Sequence, residues 1–81
     1  MRVLLSYPTS VGIFDIGQSR DKRYHVIFDD TSLGDFDSVQ GAVDALVSNQ
    51  TISPTDIETK ELIDTSTLGI AKDYLEWDSN Y

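Results

Sequence analysis

The chain has 81 residues, no cysteine, fourteen acidic and six basic residues, and a formal net charge of −8. A chain of this size is one small domain that buries only roughly 60 to 65 per cent of its surface on folding, and without cysteine it has neither a disulfide framework nor a cysteine zinc site to supplement its core. The charge argues against direct contact with DNA or RNA, because an acidic surface repels phosphate.

The acidity is unevenly placed. Residues 1–28 carry four basic and two acidic groups, whereas residues 29–81 carry two basic and twelve acidic groups. Val3-Leu4-Leu5 is too short an apolar run for a signal segment or a membrane span, so a cytoplasmic location is the expectation. "RVLLSY" and "VGIFDIG" read as two strands or one broken strand, and "GQSRDKR", residues 17–23, as a hairpin loop. "YHVIFDD" alternates, with Tyr24, Val26 and Phe28 on one face and His25, Ile27 and Asp29 on the other. A turn is expected at Asp30-Thr31-Ser32, followed by a brief strand over residues 33–36.

Val39, Ala42, Val43, Leu46 and Val47 share one face of a helix, with Asp37 or Ser38 as its cap, Gln40 placed for a capping box with Asp37, and Asn49 as a left-handed residue at its end. The sequon Asn49-Gln50-Thr51 is accordingly read as a helix end. Ser53-Pro54-Thr55-Asp56 is a helix-start signature, which predicts a second helix over residues 54–63, although Ile57, Leu62 and Ile63 form no regular stripe. Ile70, Tyr74 and Trp77 lie at i, i+4 and i+7 and predict a short C-terminal helix that docks Tyr74 and Trp77 in the core. The fold class expected is α+β, a small antiparallel meander sheet of three to four strands packed on one amphipathic helix.

"FDDTSLGDFDS", residues 28–38, holds four aspartates. An EF-hand loop counted from Asp29 would need a ligand where Leu33 stands and an acidic residue where Gln40 stands, so only Gly34 is in place and no metal site is expected. Acid–base catalysis needs two titratable groups in one cleft, and the single histidine, His25, falls on the outward face of its strand. No cysteine nucleophile exists, and Gln18 and Ser19 stand after Gly17 where a phosphate loop needs lysine and a hydroxyl residue. "LIDTS", residues 62–66, resembles the active-site stretch of aspartic proteases, but it occurs once and only seventeen residues follow Asp64; the alternative is a capping turn.

The order of elements in residues 11–48, with "FDD", "LG" and "DS..GAVDAL", is similar to the ββ(β)α unit of HicB-like antitoxin domains, without their basic continuation. In size, acidity and lack of catalytic motifs the whole chain resembles the phage-encoded anti-CRISPR inhibitors. What these resemblances imply is binding without catalysis and without a cofactor: an inhibitor whose acidic surface, a mimic of nucleic acid, meets a larger protein or complex with a basic surface. The alternatives are an antitoxin or immunity-type protein and a small enzyme of unknown reaction. The partner-binding residues expected are Asp29, Asp30 and Asp35, grouped at the meander turn, with Asp56, Glu58 and Glu61 on a second acidic stretch. Tyr7 and Tyr81 are candidate aromatic anchors, and a homodimer is a further way to cover an edge strand.

Overall fold

A computed structural model describes residues 1–79; Tyr81 lies outside the described residues. Four strands, β1 (Arg2–Thr9), β2 (Gly12–Gln18), β3 (Tyr24–Phe28) and β4 (Thr31–Phe36), form an antiparallel meander, and a fifth, β5 (Asp78–Ser79), joins the free side of β1. The fold is α+β as expected, with one strand more than the sequence suggested.

The alternation in β3 has its predicted effect: Val26 and Phe28 are buried, whereas His25 and Ile27 face outward and are half-buried. Phe14 on β2 stacks on Phe28 with ring centroids 4.6 Å apart, and Leu5 and Ile16 extend the same apolar layer. The β3–β4 turn is tighter than expected. Phe28 pairs with Thr31, so the loop is the two residues Asp29 and Asp30, both left-handed with φ of 51° and 61°. Left-handed conformation at both central residues is the signature of a type I′ hairpin, whose twist matches that of the flanking strands. Thr31 and Ser32, expected in the turn, are already strand.

Helix α1 (Val39–Val47) lies on the inner face of β3 and β4 and buries Ala42, Val43, Ala45 and Leu46. Ser38 rather than Asp37 is its cap, accepting from the Gly41 amide at 3.0 Å. Gln40 closes no capping box; its amide instead donates to Asp44 and to the Lys72 carbonyl. Asn49, with φ 60°, ends the helix as expected: the Asn49 amide donates to Leu46 O and the Gln50 amide to Ala45 O, the paired bonds of a Schellman motif.

Two predicted helices do not form. Residues 54–63 make a compact loop closed by a bridge between Thr55 and Leu62, with the Asp56 amide donating to Glu61 O and the Lys60 amide to Asp56 O. A short helix needs an apolar stripe to dock, and here Ile57 and Leu62 are exposed, so the Asp56 carboxylate wins the local competition by accepting the Glu58 and Thr59 amides. The C-terminal helix shrinks to a single 3-10 turn, Tyr74–Glu76, with Leu75 exposed. Residues 64–79 form a strap that runs past α1 and back to β1. Over residues 70–77 the strap is irregular, with the 3-10 turn as its only helical part, and it delivers the chain to β5 on the free side of β1. Ile70 and Trp77 enter the core and Tyr74 does not.

Candidate functional site

The strand register separates charge along the sheet. Arg2 is level with Gln18, and Arg20, Lys22 and Arg23 lie on or beside the β2–β3 loop, so these basic residues share one end. Asp29 and Asp30 occupy the opposite end, beyond a five-residue strand that spans about 17 Å.

Asp35 belongs with the basic end, not with Asp29 and Asp30. It pairs with His25 in register, and Arg23 Nε donates to its carboxylate at 2.8 Å, while Arg23 Nη1 donates to Asp37. The Asp35 carboxylate holds the Arg23 guanidinium above its ordinary pKa, with the Asp37 charge adding to the effect. The grouping expected from sequence thus splits, because five residues of strand carry Asp35 away from the turn. In the β2–β3 loop the Ser19 hydroxyl donates to Asp21 and depresses its pKa, with the Arg23 amide as a further donor. A depressed carboxylate supports the fold above its free value of 3.8 and loses that support as pH falls through the lower folded value. A carbon-detected acid titration is expected to show Asp21 protonating below 3.8; protonation at or above that value would mean that the Ser19 bond does not persist in solution.

Asp29 and Asp30 are exposed and, among the described residues, have no basic partner. Beside them runs residue 52, whose amide donates to Leu33 O at 2.8 Å across the open edge of β4. Between the hairpin and residues 52–55 lies a cleft of about 150 Å³, walled by Phe28, Leu33, Ile52 and Pro54, with Asp29, Thr31, Ser53 and Thr55 also lining it. Thr55 leads into the loop that carries Asp56, Glu58, Lys60 and Glu61, so the second acidic stretch starts from the cleft that Asp29 lines. The roles of its acidic residues differ. Glu58 and Glu61 are exposed, whereas the Asp56 carboxylate organises the loop by accepting the Glu58 amide at 2.8 Å and the Thr59 amide at 3.1 Å. Asp56→Ala is therefore expected to raise amide exchange at Glu58 and Thr59 by about tenfold while leaving β3 unchanged; equal protection in both chains would mean that the loop does not depend on this carboxylate.

The remaining candidates fall into structural positions. His25 Nδ1 lies 2.9 Å from Ser32 Oγ on the outer sheet face. Asp64 caps a 3-10 turn, Thr65–Thr67, accepting from the Ser66 amide at 3.0 Å, while the Thr65 hydroxyl donates to Leu46 O at the end of α1. Tyr7 packs against Trp77 with ring centroids 5.3 Å apart. The Ser6 hydroxyl donates to Asp15 at 2.5 Å on the outer face. Among the described residues no three His, Asp or Glu side chains converge as metal ligands, and no helix is long and apolar enough to cross a membrane. The cleft is not legible in the sequence, because its walls lie about twenty residues apart in the chain and Pro54 and Thr55 fall at the start of the predicted helix. Comparison with known protein families, with curated proteins and with solved structures finds no match to this chain.

Proposed function

We propose that this protein is a non-enzymatic, cytoplasmic inhibitor whose acidic end binds a basic, nucleic-acid-handling surface of a larger protein or complex and keeps nucleic acid off it. The observation that supports this reading is the segregation of charge along the strands. Arg23 neutralises Asp35 and Asp37 at one end, while Asp29 and Asp30 remain exposed at the other; Glu58 and Glu61, with Lys60 between them, are exposed on the loop that follows Thr55. Exposed carboxylates on a tight hairpin steer the encounter with a basic surface over a Debye length, and this steering weakens with salt.

Asp29 and Asp30 are also not the residues that the turn itself prefers. Asn-Gly suits a type I′ turn better, since glycine adopts φ > 0 without a side-chain penalty and two neighbouring aspartates repel each other. The double variant Asp29→Asn/Asp30→Gly is expected to gain about 1 kcal/mol of stability and to lose binding.

Both proteins, tagged, are to be offered to a bacterial lysate at about 50 and 300 mM salt, with nucleic-acid retention by the captured complex measured afterwards. Capture of a nucleic-acid-binding complex by the wild type, reduced by salt, absent with the variant and displacing the nucleic acid, is the expected result. Capture of a single small toxin would favour the antitoxin reading instead. Salt-independent capture by both proteins, or capture by neither, would overturn the proposal.

A further inference from the structure

Resting on the basic-partner reading above, we propose that the cleft beside the Asp29–Asp30 turn is a socket for one lysine or arginine side chain of that partner. The alkyl stem would lie against Phe28, Leu33, Ile52 and Pro54, with the cationic head at the hairpin turn.

The shape and chemistry of the cleft select this occupant. At about 150 Å³ it exceeds the ~10–15 Å³ that one water needs and falls well short of the ~300 Å³ where pockets for small molecules and cofactors begin. Four apolar side chains, Phe28, Leu33, Ile52 and Pro54, share its lining with Asp29, Thr31, Ser53 and Thr55; Asp30 follows Asp29, and neither aspartate is paired with a basic residue of this chain among the described residues. A bare cation would leave the apolar walls uncovered, and an aliphatic side chain would leave the carboxylates without a counter-charge. A long basic side chain meets both demands, since it carries an apolar stem and a charged tip.

Backbone hydrogen bonds fix the position of the second wall, residues 52–55. This wall is tied to β4 by the Ile52 amide bond to Leu33 O, and the Ile63 amide donates to Pro54 O at 2.8 Å, which fastens Pro54 to a residue of the core. Ile52 is 66% exposed, a large apolar surface that an inserted stem would cover.

The test uses the full chain and two hexapeptides at about pH 6, one of lysine and one of 2,4-diaminobutyrate, which bears the same charge on a stem two methylenes shorter. Binding is to be followed by amide and methyl chemical shifts. The lysine peptide is expected to bind about five to ten times more tightly, with the largest methyl shifts at Leu33 and Ile52, and Ile52→Ala is expected to abolish that preference. Ile52→Ala trims an exposed side chain and should leave the melting temperature within about 2 °C. Equal affinity for the two peptides, with shifts confined to the amides of Asp29, Asp30 and Glu58, would overturn the socket and leave the acidic-surface reading standing. Binding by neither peptide would overturn both.

Discussion

Trp77→Ala is expected to cost about 3–5 kcal/mol, the usual range for removing a buried tryptophan, and to unfold much of the protein at 37 °C. A domain of this length has on the order of 4–12 kcal/mol of stability in all. Trp77 is 5% exposed, packs on Tyr7, and donates its indole N–H to Ala71 O at 3.1 Å, so its loss removes apolar contact and leaves a carbonyl without its donor. Trp77 also immediately precedes β5, which is paired with Leu5 and Ser6, and the variant therefore loosens the strap that closes the sheet edge. Tyr74→Ala provides the contrast. Were the C-terminal segment a helix with its stripe at positions 70, 74 and 77, the two substitutions would cost alike. With the strap, Tyr74 is 37% exposed and its truncation should cost less than about 1 kcal/mol. Urea unfolding of the two variants, followed by circular dichroism, separates the cases: equal midpoints would contradict the strap.

Gly12→Ala is expected to be the most damaging single-methyl addition in the sheet, at about 2–4 kcal/mol. Two effects combine at this position. Gly12 has φ of +141°, a conformation nearly confined to glycine, and a Cβ there would lie 3.0 Å from Phe28 Cε1. The Phe28 ring cannot easily withdraw, because it is stacked on Phe14 within the core. Gly17→Ala, five residues along the same strand, should be far milder. Its nearest neighbours are the ends of flexible side chains, Ile27 Cδ1 at 2.9 Å and Met1 Sδ at 3.0 Å, and its backbone is not left-handed. Thermal melts of both variants provide the check, and a Gly12→Ala protein that melts with the wild type would remove Phe28 as a fixed wall. The substitution also reaches the acidic end, since Phe28 walls the cleft and leads directly into Asp29. A displaced Phe28 ring should therefore change the methyl shift of Leu33, which lines the same cleft.

Elements formed by neighbouring residues were legible in the sequence. The alternation of residues 24–28 placed Val26 and Phe28 inward, and the spacing of Ala42, Val43 and Leu46 placed the helix and its buried face. Asn49 as the left-handed residue and Asp64 as a capping group were likewise readable, since both depend on bonds within a few residues. The reading of Ser53-Pro54-Thr55-Asp56 as a helix start misled because the signature describes an end and cannot guarantee a docking face. Asp56 makes amide bonds of the kind a helix cap makes, and no helix follows. The stripe at residues 70, 74 and 77 misled in the opposite way: Ile70 and Trp77 do enter the core, but from an irregular strap with a single 3-10 turn between them.

What the sequence determined by itself was the α+β class, the meander, the one amphipathic helix and the excess of acid after residue 28, since each follows from patterns within a turn, a strand or a count of charges. Tertiary structure alone decided which acids stand together. Asp35, five residues from Asp30, is carried to the far end of β4 and neutralised by Arg23, while residues 52–55 are brought against the hairpin by the Ile52 bond to Leu33. Strand register and chain reversal set those distances, and both are determined by which apolar faces must meet in the core, a condition that no short window of the chain contains.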